Sequence, residues 1–368
     1  MIGRILKILV SLVVVALVAL FIAYGAFDKS TDELRPLYAS DASQFLTLPS
    51  GATVHYRDEG QPDGPVLLLV HGSNSSLHTW EPWVKILGDD YRIVTLDLPG
   101  HGLTGTHESD EYTRAGQVAF VKALVDHLGL SGFVLGGNSM GGGVTLQYAV
   151  DHGDDLIGII PVSSGGMPRG IATSSPPLAF QLAATPVINQ LMLVITPRSI
   201  VEDGLKHSIE DDEIVTEAMI DRYYDLTLHD GNRGATRTRF QGYAARGDSD
   251  LALAEGLKNV DLPVLILWGE NDPLIPVVYA HAMKEALPQA KLVIYENVGH
   301  IAMEEVPVES AAEVRAFMQS LVVEIQPTYE APPAVLCGEA APAVESPEGE
   351  MAPGSSEMPV AEPYICGQ

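Results

Sequence analysis

The sequence predicts an α/β domain with a mostly parallel central sheet and helices on both of its faces. Short apolar runs at 65–70 (PVLLLV) and 91–96 (YRIVTL) have the composition of strands that are buried on both faces. Helical stretches such as 114–128 fall between most of these runs, and this alternation is typical of parallel sheets. The predicted strands are residues 52–57, 65–70, 91–96, 133–135, 156–162, 264–268 and 291–295. Of the 368 residues, 46% are hydrophobic, so the chain can build a sizeable core.

An apolar run near the N-terminus, residues 5–27, is close to the ~20 residues that cross a bilayer. Arg4 and Lys7 lie at its start and acidic residues follow it. We therefore expect a transmembrane anchor within residues 1–27, with the rest of the protein outside the cytoplasm, on the periplasmic or extracellular side. The alternative is a cleaved signal peptide with a poor cleavage site at 23–25, in which case the protein is secreted. The run is longer than the apolar region of a typical signal peptide, which favours the anchor.

Composition divides the remainder of the chain. Strands and helices alternate in a main domain, residues 40–325, but residues 166–259 offer helical segments without an obvious strand. We expect this stretch to be a helical cap inserted over one end of the sheet. Residues 326–368 are rich in Pro, Ala and Glu and lack Lys and Arg, which predicts a disordered acidic tail. The chain's two cysteines, Cys337 and Cys366, lie in this tail, where they could pair with each other, pair between chains or stay unpaired.

The charge of the chain limits its partners. There are 21 Lys and Arg against 48 Asp and Glu, a net charge of -27. Such a field repels phosphate backbones and anionic lipid headgroups, so we expect no nucleic-acid partner. Residues 100–105 fit the dinucleotide pattern G-x-G-x-x-G, but that site requires a helix to begin at once. The polar and acidic stretch 106–111 follows instead, so we expect no nucleotide site.

A G-x-S-x-G sequence, residues 137–141, lies directly after the strand at 133–135 and before a helical stretch at 142–150. In this strand-turn-helix context the pattern is a nucleophile elbow. Gly137 and Gly141 flank the serine because the turn is too tight for side chains there. The turn exposes the serine oxygen, and the helix N-terminus beside it favours negative charge.

Four further motifs extend this pattern, and together they resemble the α/β-hydrolase family over residues 45–323. Residues 71–73 (HGS) resemble the family's oxyanion loop, and 97–102 (DLPGHG) resemble its D-x-P-G-x-G loop. Residues 268–272 (WGEND) resemble the strand end that carries the acid, and 298–300 (VGH) the loop that carries the histidine. The order Ser, Asp, His is the family's own. The resemblance implies the α/β-hydrolase fold and a serine hydrolase.

The resemblance also implies a role for each residue of the site. Ser139 is the expected nucleophile and His300 the base that takes its proton, since imidazole titrates near neutral pH. Asp272 is the expected acid, which holds the tautomer of the imidazole and stabilises its charged form. The backbone N–H groups of Ser73 and Met140 are the expected oxyanion hole. Neither H-E-x-x-H nor another metal-binding spacing occurs, so we expect no metal and no cofactor.

Two other carboxylates compete with Asp272. Glu270 shares its loop, but Asp272 has the family's G-x-x-D spacing. Asp97 ends a different strand, inside the D-x-P-G-x-G loop, where a structural role is more usual. We expect structural roles for His71 and His101, which lie in motif loops, as well.

Carboxylic-ester hydrolysis, as in esterases and lipases, is the expected reaction. The elbow with Gly142 also resembles that of hydrolases that split carbon–carbon bonds, which leaves a C–C hydrolase or a perhydrolase as the alternative. Those C–C hydrolases carry a Gly-Pro-Gly-rich stretch after the HG motif and usually Trp after the histidine, whereas this chain has 73–76 (SNSS) and Ile301. A catalytically silent, membrane-tethered binding protein is a further alternative.

The cap should select the substrate. Apolar patches at 177–184 and 188–195 favour a small-molecule ester with an apolar acyl or aromatic part. Arg233, Arg237 and Arg239 could meet a carboxylate, but we expect them on a solvated helix face.

Overall fold

Eight strands form one sheet in the computed structural model, which describes residues 2–48, 51–106, 112–168, 170, 185, 188–242 and 247–325. The strands are β1 Ser43–Thr47, β2 Thr53–Gly60, β3 Val66–Val70, β4 Arg92–Leu96, β5 Phe133–Asn138, β6 Leu156–Val162, β7 Leu265–Gly269 and β8 Lys291–Tyr295. Their order is β1-β2-β4-β3-β5-β6-β7-β8. β2 pairs antiparallel with β1 and β4, and every other pair is parallel. The predicted mostly parallel sheet is confirmed.

Helices cover both faces of this sheet. Alternate residues of β3 show it, since Leu68 and Val70 belong to one buried cluster and Leu67 and Leu69 to another. All four side chains are fully buried, as the apolar run predicted. The helices of the described residues are α1 Ile2–Tyr24, α2 Thr31–Tyr38, α3 Glu81–Leu87, α4 Arg114–Leu128, α5 Met140–His152, α6 Ile188–Leu191, α7 Arg198–His207, α8 Glu217–Thr227, α9 Asn232–Gln241, α10 Gly247–Leu257, α11 Val278–Ala286, α12 Ala302–Glu305 and α13 Pro307–Ile325.

The strands predicted from the sequence match β2 to β8 to within a few residues, and α4 has the predicted bounds. β1 has no counterpart among them. Its sequence, Ser-Gln-Phe-Leu-Thr, lacks an alternating pattern, and its strand conformation follows from antiparallel pairing along β2. That pairing is a tertiary contact, which periodicity does not reveal.

α1 is long and apolar enough to cross a membrane, with a mean hydropathy of 3.1 over its most apolar 18 residues. No other helix of the described residues is both as long and as apolar. The protein buries none of this segment. A signal sequence would have the same length and composition, so the helix is compatible with the predicted anchor without deciding between the two. The predicted tail at 326–368, with both cysteines, lies outside the described residues, and the domain boundaries stay predictions.

The helices α6 to α10 lie between β6 and β7 and form the expected helical cap insertion. They contact loops at the carboxyl ends of the parallel strands. Thr236 donates to the Asn74 side chain after β3 over 3.2 Å, and the Asn232 amide donates to the Gly102 carbonyl after β4 over 3.2 Å. The cap therefore covers the edge of the sheet where the motif loops lie. The predicted apolar patch at 177–184 lies outside the described residues.

Candidate active site

Ser139 lies between the end of β5 and the start of α5, and its backbone adopts a φ of 55°. This left-handed conformation is strained for a side chain other than glycine and is a feature of functional turns. A Cβ on Gly137 would lie 2.3 Å from the Gly141 carbonyl oxygen, and one on Gly141 would lie 2.3 Å from that of Val70. The turn therefore excludes side chains at both glycines of the motif, as predicted.

The side chains of His300 and Asp272 form a buried pair. His300 Nδ1 lies 2.8 Å from Asp272 Oδ2, and both residues are 4% exposed. The other oxygen, Oδ1, accepts from the backbone N–H groups of Leu274 and Ile275, each over 2.9 Å. The carboxylate is thus held in one orientation, and Nδ1–H donating to it leaves Nε2 of the imidazole as an acceptor. Glu270, the competing carboxylate of the same loop, is exposed.

Asn138 connects the turn of Ser139 to the loop of His300. Its side-chain amide donates to the backbone carbonyl of His300 over 3.1 Å and to that of Val162 over 3.2 Å. The residue is 2% exposed, so both bonds are shielded from water. Sequence reasoning missed this role because Asn138 occupies a variable position of G-x-S-x-G.

The loop of His300 is also held by Glu305. The carboxylate accepts from the backbone N–H groups of Gly299, over 3.0 and 2.9 Å, and of Glu210 in the cap, over 2.9 Å. Burial raises the pKa of Glu305, and these backbone hydrogen bonds partly oppose that rise. The backbone N–H of His300 itself donates to the Ser208 carbonyl over 2.8 Å. Nothing in the sequence distinguishes Glu305 from the adjacent Glu304. Only the direction of the side chain in the folded protein does so.

The HGS loop after β3 lies directly beside Ser139. A Cβ on Gly72 would come within 3.1 Å of the Ser139 Cβ, so only glycine lets the two segments approach this closely. Ser73 and Met140 are half-buried. Within the described part of the chain, the backbone N–H of neither residue donates to a carbonyl of another segment. The oxyanion hole expected at these two N–H groups stays a prediction.

His71 fixes the start of this loop. Its Nδ1 lies 2.7 Å from the Gly72 carbonyl, and its Nε2 accepts from the Leu98 N–H over 3.0 Å. An Nε2 that accepts a hydrogen bond belongs to a neutral ring, and burial lowers the pKa of His71 in the same direction. Burial and then the Arg239 guanidinium lower the pKa of His101 in the same way. These contacts support the structural roles expected for both histidines.

Asp97 is fully buried and both of its oxygens are occupied. Oδ2 lies 2.7 Å from His55 Nδ1 and accepts from the Leu103 N–H over 2.8 Å, while Oδ1 accepts from the Leu77 N–H over 2.7 Å. Burial alone would raise the pKa of Asp97, but the hydrogen bond with His55 helps to hold it well below its usual range. Gly102 leaves room for this carboxylate, since a Cβ there would lie 2.0 Å from its carbon. The Asp97 carboxylate therefore holds His55 and two backbone N–H groups together, and it does not pair with His300.

The expectation of a solvated arginine face in the cap is wrong for Arg233 and Arg239, which are 7% and 3% exposed. Arg233 pairs with Asp28 over 2.6 Å, and Arg239 donates to the side chain of Asn74 over 3.0 Å. Only Arg237 is partly exposed, with the Gln190 side chain 3.0 Å away. Helical periodicity did not reveal that this face packs on the N-terminal segment and on the motif loops.

A small, half-open cavity lies between the loops after β3 and β4 and the cap. Its walls include Ser75, His101, Tyr223, Asn232 and Thr236. Neither Ser139 nor His300 lines it. The geometry of the turn, the buried pair and the HGS loop therefore identifies the candidate site better than this cavity does.

Known proteins share this arrangement of sequence and fold. The chain is 26% identical over 287 residues to the bifunctional esterase/perhydrolase DCH of Acinetobacter calcoaceticus, covering 70% of this chain and 92% of that protein. It is 25% identical over 269 residues to monoacylglycerol lipase abhd6-A of Xenopus laevis, covering 72% and 79%. The crystal structure of the esterase RhEst1 from Rhodococcus sp. ECU1013 superposes with a TM-score of 0.63 at 25% identity, covering 76% of this chain and 99% of that one. Residues 65–307 match the family described as alpha/beta hydrolase fold. The chain therefore belongs to the α/β-hydrolase fold family and is a hydrolase.

Proposed function

We propose that this protein is a serine hydrolase that cleaves carboxylic esters, with Ser139 as nucleophile, His300 as base and Asp272 as acid. The observation that carries the proposal is the buried hydrogen bond of 2.8 Å between His300 and Asp272. It prepares an imidazole to accept a proton, in a loop that Asn138 ties to the turn of Ser139. A base, its orienting acid and a serine in a strained turn are what acyl transfer requires.

The proposed reaction has two halves. The Ser139 oxygen attacks the acyl carbon and its proton passes to Nε2 of His300, while the carbonyl oxygen becomes an anion that the N–H groups of Ser73 and Met140 stabilise. The imidazolium, stabilised by Asp272, then gives the proton to the leaving alcohol, and an acyl-serine remains. Water repeats the sequence: it loses a proton to His300, attacks the acyl carbon and releases the carboxylic acid with Ser139 restored.

The relatives support an ester as substrate, since one is described as an esterase/perhydrolase and another as a monoacylglycerol lipase. A small-molecule ester with an apolar acyl or aromatic part fits both descriptions. The relative from Acinetobacter calcoaceticus is also described as a perhydrolase. Peroxide in place of water is therefore an alternative nucleophile for the same triad. The C–C hydrolase alternative has less support, because Ile301 and the sequence after Gly72 depart from that pattern.

We also propose that α1 is retained as a single-pass anchor, with the hydrolase domain outside the cytoplasm. The exposed apolar surface of α1 supports a membrane location, and the basic residues Arg4 and Lys7 in its first two turns support this orientation. Fractionation of the full-length protein, with sequencing of its N-terminus, separates the anchor from a signal peptide. A shortened, soluble species that begins near Ala26 would contradict the anchor.

The test of the chemistry compares Ser139→Ala with wild type on a panel of esters and on a fluorophosphonate probe, which labels activated serines. The variant should lose turnover and labelling and keep its fold. Ser75→Ala is the matched control, because Ser75 lies on the neighbouring loop with its hydroxyl 3.3 Å from that of Tyr223 and should keep both activities. Labelling that persists in Ser139→Ala moves the nucleophile elsewhere, and a wild-type protein without turnover or labelling favours the silent binding protein.

A further inference from the structure

The residues that follow α1 pair directly with the cap. The Ala26 N–H donates to the Val194 carbonyl over 3.0 Å, and the Thr196 N–H donates to the Tyr24 carbonyl over 3.2 Å. Between these bonds Gly25 and Ile195 form an antiparallel bridge. One residue spans at most ~3.3–3.6 Å of chain, so this part of the cap lies within a few residues' reach of the end of the apolar helix.

Two ion pairs continue this attachment. Asp28 pairs with Arg233 of α9 over 2.6 Å, and Lys29 pairs with Asp225 of α8 over 2.6 Å. Arg233 is buried, so its pair is screened by water less than an exposed pair is. The main chain of Lys29 also bonds on both sides, donating to the Leu228 carbonyl over 2.8 Å and accepting from the Asp230 N–H over 2.9 Å.

The helix α2 completes the attachment. Ser30 begins it with a capping box that includes Glu33. Leu34 is fully buried in a cluster with Leu226 of the cap and Leu103, which directly follows the D-x-P-G-x-G loop. The segment from Tyr24 to Tyr38, here called the juxtamembrane segment, is thus a packed part of the domain that joins the apolar helix to the cap.

Apolar side chains remain exposed where this segment begins. Phe27 is 79% exposed and its ring packs edge-on against Phe21 of α1, with 6.0 Å between centroids. In the cap, Val194 is 44% exposed and Ile188 is 38% exposed. Phe27 and Val194 lie where the end of α1 meets the cap. Together with Ile188 of the first cap helix they are here called the membrane-facing patch. Apolar residues at the end of a membrane helix gain free energy by entering the interface of the bilayer.

We propose that the cap rests on the bilayer and that the juxtamembrane segment holds it there. The partner of the membrane-facing patch is the interface of a neutral lipid layer, since the net charge of -27 disfavours anionic headgroups. The cap covers the edge of the sheet that carries Ser139 and His300, so the proposed site lies on the lipid-facing side of the domain and takes esters that partition into the bilayer. This inference rests on the proposed anchor and deepens the proposed function.

Depth-dependent fluorescence quenching tests the placement without using catalysis. The full-length protein with Cys337→Ser and Cys366→Ser receives a fluorophore at Val194→Cys and is reconstituted in phosphatidylcholine vesicles that contain a nitroxide phosphatidylcholine. Ser131→Cys is the matched control, since Ser131 is exposed and precedes β5 at the opposite end of the sheet. Lipid nitroxide should quench the probe at Val194 strongly and the probe at Ser131 little.

The juxtamembrane segment is tested by Asp28→Arg, which places two cations together at Arg233. Quenching at Val194 should fall towards the level at Ser131, and the charge exchange Asp28→Arg with Arg233→Asp should restore it. Exchange of the surface pair of Lys291 and Glu313, 2.5 Å apart, should leave the quenching at Val194 unchanged.

Three outcomes overturn the inference: equal quenching at Val194 and Ser131, release of the protein from the vesicles, or quenching at Val194 that Asp28→Arg leaves unchanged. Repeating the quenching in Ser139→Ala keeps the two proposals separate, because lost turnover with unchanged quenching concerns only the chemistry.

Discussion

The side-chain amide of Asn138 donates to the backbone carbonyl of His300 over 3.1 Å. Asn138 directly precedes Ser139, so a single side chain couples the turn of the proposed nucleophile to the loop of the proposed base. The second hydrogen bond of this amide, to the Val162 carbonyl, fixes it against the end of β6.

Removing this coupling should reduce turnover more than it reduces binding. In Asn138→Ala we expect kcat to fall by roughly 10- to 100-fold with a small change in KM, because a small misplacement of the base costs rate. Two buried carbonyls lose a donor, so the free energy of unfolding should fall by about 1–3 kcal/mol. Steady-state kinetics and urea unfolding measure the two effects.

Asn232→Ala is the control for that variant, because the Asn232 amide also donates to two buried backbone carbonyls, those of Gly102 and Leu226. It should lose comparable stability and keep kcat within a few-fold of wild type. Equal losses of kcat in the two variants would show that Asn138 acts on stability alone.

Asp272→Asn should fold normally and lose about three to four orders of magnitude in turnover. The amide can still accept from Leu274 and Ile275, but it no longer offers Nδ1 of His300 a carboxylate, and the imidazole loses its tautomer and the stabilisation of its charge. Glu270→Gln is the control, since Glu270 shares the loop and is exposed. Near-normal turnover in Asp272→Asn would mean that another carboxylate serves His300.

The juxtamembrane segment should contribute to the stability of the domain. Leu34 is fully buried and Leu37, one turn along α2, is 63% exposed. Leu34→Ala should therefore reduce the free energy of unfolding by about 2–5 kcal/mol, and Leu37→Ala by less than about 0.5 kcal/mol. A protein that begins at Asp28 should be soluble and active, whereas one that begins at Ser40 should be markedly less stable. Equal melting temperatures for these two truncated proteins would contradict the packing of α2.

His78 should make stability depend on pH. Burial, helped by the Arg57 guanidinium 3.0 Å away and opposed by Asp97, lowers the pKa of His78 to about 4. The unfolded chain binds this proton with a pKa of about 6.5, so the stabilisation is fully present above that pH and is lost as the pH falls towards 4. His78→Gln should be less stable at neutral pH, by an amount that shrinks across this range in urea unfolding. The control His127→Gln, at an exposed position, should show the same dependence of unfolding free energy on pH as wild type. If the difference in unfolding free energy between His78→Gln and wild type stays constant with pH, His78 is not the titrating group.

Much of the candidate site could be predicted because its determinants are local. The turn at Ser139 needs glycines at two fixed positions, since no side chain fits there. The five-residue motif therefore reveals this requirement directly in the sequence. The preference for Asp272 over Glu270 also followed from spacing within one loop. The parallel sheet followed from short apolar runs that alternate with helices.

The sequence alone thus determined the class of fold, the family, the turn that presents Ser139 and the apolar N-terminal helix. Only the tertiary structure decided that Asn138 and Glu305 hold the loop of His300, that β1 pairs along β2, and that Arg233 is buried against Asp28, 205 positions away. The physical reason is range. A steric requirement or a hydrophobic period acts between neighbours in the chain, whereas a buried hydrogen bond or ion pair joins groups whose proximity exists only after the sheet and cap have packed.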